Sequence, residues 1–94
     1  MHVISFKALR NFFSIHRDAE GPLKAWYGIA KKAKWKNLAE LKQVYPSADL
    51  VGGVVVFNIK GDKYRLVAGI NFRSQTIFVK HVMTHKQYDL GKWK

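Results

Sequence analysis

The sequence predicts an α+β domain, with two to three helices packed on one face of an antiparallel sheet. Three observations carry that expectation. Up to about Pro46 the apolar side chains recur at helical spacing, whereas after it they fall into β-branched and aromatic runs between short turns. The chain has 94 residues, 48% hydrophobic and 14% aromatic, enough for one core and one domain over residues 1–94. It has no cysteine, so the fold has no disulfide framework and no thiolate metal site.

The elements follow in order. His2–Phe6, rich in Val, Ile and Phe, reads as a short opening strand. Leu9, Phe12 and Phe13 then recur at helical spacing, with Ser5 as a cap. Glu20-Gly21-Pro22 marks a break and a restart, because proline suits the first turn of a helix, where a missing N–H goes unused. Leu23, Trp26, Tyr27 and Ala30 form the apolar stripe of this second helix, which runs to about Ala33. Asn37 caps a third helix, with Glu40 three positions on. Leu38, Leu41 and Val44 supply its apolar side, and Tyr45-Pro46 ends it.

Val54–Ile59, Tyr64–Phe72 and Thr76–Met83 are the strands of an antiparallel meander, with turns at Lys60–Lys63 and Asn71–Gln75. Thr84, followed three residues later by Gln87, opens a last helical turn. Helices and sheet must share one core, so the helices cover one sheet face and leave the other at least partly open.

Seventeen Lys and Arg oppose six Asp and Glu, a net charge of +11. Self-repulsion on a small globule costs stability, so an anionic partner is expected, nucleic acid ahead of a membrane surface. The longest apolar stretch, around Leu50–Phe57, is far short of the roughly 20 residues that span a bilayer. The first residues lack a signal-peptide core. A cytoplasmic protein with no membrane association is expected.

Alternation along the strands sorts the polar side chains. Asn58 and Lys60 share a face with Val54 and Val56, and Lys63 and Arg65 oppose the apolar row Tyr64, Leu66, Ala68, Ile70. Asn58, Lys60, Lys63 and Arg65 are therefore expected together on the open face, with His85, Lys86 and Tyr88 arriving at the same end. Such a set, short of carboxylates, is unsuited to glycoside or two-metal chemistry. It suits phosphate, which Arg meets with a planar fork and Lys with a point charge. RNA brings its own nucleophile, the 2′-hydroxyl, so no metal or other cofactor is called for. His81, His85 and Asp89 are spaced by four, but His81 falls on a strand, which argues against a metal site. Lys31, Lys32, Lys34 and Lys36, around Trp35, read either as a solvated helix end or as an RNA-docking patch.

Three blocks carry a resemblance: Val44–Asp49, Phe57–Leu66 and His81–Asp89 with Gly91-Lys92-Trp93-Lys94. In this order and length the chain resembles the HigB-type toxins of bacterial type II toxin–antitoxin systems, within the RelE-like superfamily. The resemblance implies the RelE-like fold, cleavage of mRNA on translating ribosomes, and neutralisation by a HigA-like helix-turn-helix antitoxin; the basic surface is then expected to dock on ribosomal RNA. It implies that Arg65 contacts the scissile phosphate with help from Lys60, and that His85, Tyr88 or Lys86 serve proton transfer or base stacking. Asn58, Lys63, Arg73, Lys86 and the Lys31–Lys36 cations would bind RNA. The rival expectation is a basic RNA-binding or ribosome-associated module without catalysis.

Overall fold

The computed structural model describes residues 1–93. Strands β1 (His2–Ile4), β2 (Asp49–Val51), β3 (Val54–Ile59), β4 (Tyr64–Asn71) and β5 (Thr76–Thr84) form one sheet. Its order is β1-β5-β4-β3-β2, with β1 parallel to β5 and the other neighbours antiparallel. Helices α1 (Phe6–Phe13), α2 (Glu20–Lys32) and α3 (Leu38–Val44) precede β2, and α4 (His85–Leu90) follows β5. The α+β architecture expected from the sequence is thus present. None of the helices is long and apolar enough to cross a membrane, among the described residues.

Tertiary packing moves several boundaries. The first strand stops at Ile4, and Phe6 opens α1 because its ring sits edge-on to Phe13 and Tyr27, at 6.0 and 4.9 Å. Ser5 holds the N-cap position with extended backbone, but its side chain makes no capping bond. A 3-10 turn at Arg17–Ala19 feeds straight into α2, which therefore starts at Glu20, with Pro22 inside its first turn. Asn37 caps α3 as expected, accepting from the Glu40 N–H at 2.9 Å. Thr84 and Gln87 form the reciprocal capping box of α4, and Gly91 ends that helix at φ 71°, a left-handed value that glycine adopts freely.

Strand β2 was not expected. Gly52 and Gly53, at φ 56° and 85°, form a two-residue hairpin loop that pairs Asp49–Val51 with Val54–Val56. Both central residues of such a loop need positive φ, which is why the pair is glycine.

The main core lies between the helices and one sheet face. Val55, Phe57, Ile59, Tyr64, Leu66 and Ala68 meet Leu9, Leu23, Trp26, Ala30 and Leu41 there, and all are buried. The Phe57 ring sits edge-on between Trp26 and Tyr45, 5.4 Å from each. Full burial of such a side chain contributes about 1.5–3 kcal/mol. Trp35 joins this core, edge-on to Tyr45 and 5% exposed, so its ring packs and does not stack on a base. The opposite face carries a smaller cluster, Val56, Val67 and Met83, covered by Tyr88 and Trp93. The face expected to be open is therefore closed at one end by α4 and Trp93.

Candidate nucleic-acid and catalytic site

The meander fixes Arg65 opposite Asn58 on β3 and Met83 on β5. Alternation aims it away from the main core, as the sequence predicts. Yet the side chain is only 9% exposed, because α4 folds over it. Its Nη1 donates to the Asp62 carbonyl at 2.6 Å and to the Tyr64 carbonyl at 3.3 Å. Its Nη2 lies 3.2 Å from His85 Nδ1, and the guanidinium carbon stands 5.4 Å from the centre of the Tyr88 ring. Tyr88 in turn stacks on Trp93 at 5.0 Å and 17°. Arg65, His85 and Tyr88 therefore converge. Lys86 is exposed on the same short helix, and Asn58 is the cross-strand neighbour of Arg65.

His85 has partners with opposite demands. The Arg65 guanidinium can only donate, and the Asp62 carbonyl, 3.1 Å from the same Nδ1, can only accept. A neutral ring with its lone pair at Nδ1 accepts from Arg65, whereas a doubly protonated ring donates to Asp62. Nε2 donates to Asp89 Oδ2 at 2.8 Å in either case. The other neutral tautomer, with the Nε2 lone pair facing the Asp89 carboxylate, is electrostatically opposed. One proton at Nδ1 thus switches the ring between two partners. Asp89 escaped the sequence reading as part of this set; its place four residues beyond His85 on a helix was the available signal.

Lys60 and Lys63 do not join Arg65 on its face. Lys60 has a positive φ of 55°, which breaks the strand alternation, and Lys63 lies in the turn before β4 begins. Both ammoniums reach Oδ2 of Asp18, at 3.1 and 2.5 Å, on the helix side of the turn. The Tyr64 hydroxyl donates to Asp18 Oδ1 at 2.5 Å. These donors, led by Lys63, hold the Asp18 carboxyl well below the usual carboxylate range. The same contact raises the Lys63 ammonium and the Tyr64 hydroxyl above their ordinary values.

A second cationic surface lies where β4 ends and β5 and β1 begin. Lys31, Lys32, Lys34, Lys36 and Arg73 line an open groove of about 620 Å³, with His2 and Gln75 on its walls and no carboxylate among the lining residues. Gln75 Nε2 ties the groove together by donating to the carbonyls of Trp35 and Phe72. Arg65 is the second residue of β4 and this groove flanks the strand's far end at Asn71, six residues on, or roughly 20 Å at strand rise.

Fold and site together define a small, strongly cationic α+β protein in which a sheet arginine meets a histidine and a tyrosine of the last helix, a cluster suited to a phosphodiester. The HigB toxin family, the RelE-like toxic component of a toxin–antitoxin system, matches residues 19–91. The mRNA interferase toxin HigB of Escherichia coli strain K12 is 36% identical over 95% of this chain and 88% of its own length. The mRNA interferase HigB of Shigella flexneri shows the same identity and coverage, and that of Escherichia coli O6:H1 is 26% identical over 95% of this chain and 89% of its own. The chain belongs to the HigB toxin family.

Proposed function

We propose that this protein is the mRNA-cleaving toxin of a type II toxin–antitoxin system, acting in the cytoplasm on mRNA held by the ribosome. The observation that carries the reading is the convergence of Arg65, His85 and Tyr88 under α4 in a chain of this family. In the proposed reaction the RNA 2′-oxygen attacks its own phosphorus, a P–O2′ bond forms and the P–O5′ bond breaks. The products are a 2′,3′-cyclic phosphate and a 5′-hydroxyl.

Arg65 contributes its charge to the crowded phosphorane, together with the Nε–H and the second Nη2–H, which have no partner among the described residues. His85 exchanges a proton by switching between Arg65 and Asp62, and Tyr88 offers a ring for base stacking or a hydroxyl for proton transfer. Lys86 and Asn58 flank this set and contact RNA. The Lys31–Lys36 and Arg73 groove docks on ribosomal RNA, where only backbone charge is read because Trp35 is inside the core. A HigA-like helix-turn-helix antitoxin neutralises the toxin.

Transcript ends mapped after brief induction test this. New 5′-hydroxyl ends inside coding sequence are expected, dependent on translation and absent for His85→Ala, whose side chain is half-exposed. Unchanged ends in the wild type would remove the catalytic reading. One observation favours the rival, a basic RNA-binding or ribosome-associated module: Arg65 is largely committed to protein acceptors. That rival predicts salt-sensitive binding with no new ends.

A further inference from the structure

The turn between β3 and β4 has two working sides. Its carbonyls face the α4 side, where Asp62 receives Arg65 and Lys63 receives the His85 N–H at 3.0 Å. Its side chains face the other way, and there three donors from this one turn and strand start converge on a single carboxylate. Lys60 Nζ, Lys63 Nζ and the Tyr64 hydroxyl all terminate on Asp18. Lys63 and Tyr64 also interact with each other, the ammonium standing 5.5 Å from the centre of the Tyr64 ring, so the three donors form one connected set around Asp18.

Asp18 comes from the 3-10 turn ahead of α2, 42 residues or more from its partners in sequence. A carboxylate and an RNA phosphodiester each present two oxygens sharing one negative charge. A pocket that satisfies the first is therefore matched in charge and bite to the second. The lysines are half-exposed, at 45% and 57%. Exposed ion pairs of this kind are individually weak, whereas a phosphate on a polyanion brings counterion release as an added driving force.

We propose that Lys60, Lys63 and the Tyr64 hydroxyl form a phosphodiester subsite on the helix side of the β3–β4 turn, across it from the cleavage cluster, and that Asp18 is its resident, displaceable occupant. The inference rests on the reading of RNA as the ligand. When RNA engages, another phosphate of the same strand takes the three donors and the Asp18 side chain turns out to solvent. The clasp thus lowers affinity for RNA in general, and a substrate must outcompete it.

The test uses the full chain and a 2′-O-methyl oligoribonucleotide, which binds but cannot cleave, titrated by fluorescence anisotropy across a salt series. Asp18→Asn should bind about fivefold more tightly at low salt with the log K against log salt slope unchanged, because both proteins neutralise the same phosphates once RNA is bound. Glu20→Gln removes the same charge two residues away, from a pair with Lys24, and should change affinity less than twofold. The gain should vanish in a Lys60→Ala/Lys63→Ala background.

Equal gains from Asp18→Asn and Glu20→Gln, or a gain that survives loss of both lysines, overturn the proposal in favour of a long-range field. So does Asp18→Asn binding no more tightly, which marks Asp18 as a strut. Should that variant unfold, the wild type decides. The Asp18 carboxyl carbon resonance must move toward its free-carboxylate position as oligonucleotide saturates the protein, and a stationary resonance overturns the idea. Because this RNA cannot be cut, these outcomes are separate from the transcript-end mapping that judges the ribonuclease reading.

Discussion

Arg65→Ala is expected to cost stability as well as activity, and the structure sets the size. The 2.6 Å bond from Nη1 to the Asp62 carbonyl is charge-assisted, worth about 1.5–3 kcal/mol, and the longer bond to Tyr64 adds roughly 0.5. Contact with the Tyr88 ring at 5.4 Å contributes about 0.5–2 kcal/mol. Against this stands the desolvation of a cation that is 9% exposed, which truncation relieves. The net loss should be about 2–4 kcal/mol, or a fall in melting temperature of roughly 10–25 °C for a domain of this size.

Urea melts followed by far-UV circular dichroism measure it. Arg65→Lys keeps the charge but cannot reach the Asp62 carbonyl and His85 in one plane, so it should fall between, at about 1–2 kcal/mol. If Arg65→Ala melts within about 0.5 kcal/mol of wild type, the guanidinium is not what ties the β3–β4 turn to α4. The practical consequence is that lost toxicity in this variant is informative only at a temperature where the protein remains folded.

Three further outcomes are expected. The Asp18 carboxyl lies below its unfolded value, so the clasp's stability contribution is fully present above about pH 4 and is lost as pH falls further; the stability gap between wild type and Asp18→Asn should close on acidification, as acid melts will show. Gly53→Ala, at φ 85° with open space around the new Cβ, should lose about 1–2 kcal/mol from backbone strain alone, whereas Gly52→Asn should be nearly neutral in thermal melts because Asn tolerates that turn position. Combined Lys31→Ala, Lys34→Ala and Lys36→Ala should weaken association with ribosomes and lower its salt slope by roughly 0.7–0.9 for each phosphate no longer neutralised, leaving the melting temperature unchanged; a salt slope equal to wild type would remove the docking role.

Much of the fold was legible. Leu23, Trp26 and Ala30 at helical spacing, and Val55, Phe57 and Ile59 in alternation, are local patterns with a single compact solution, and all six are buried together. The outward aim of Arg65 followed from the same alternation. Where local rules broke, the reading missed. The positive φ of Lys60 rotated its side chain to the helix side, and a one-residue break in pairing near Val67 and Ala68 leaves Lys80 lying over Gly69. Strand β2 was missed although Gly52-Gly53 between apolar residues is a hairpin signal.

The sequence by itself determined the α+β pattern, the excess of cations and the family blocks, because composition, periodicity and capping are properties of neighbours along the chain. Only the tertiary structure decided which cations act together. Asp18 lies 42 residues from Lys60, and Arg65 lies 20 from His85. Which side chain meets which across such separations depends on turn geometry and on how α4 packs back onto the sheet. A carboxylate with no local partner thereby took the lysines, and a short helix covered the arginine.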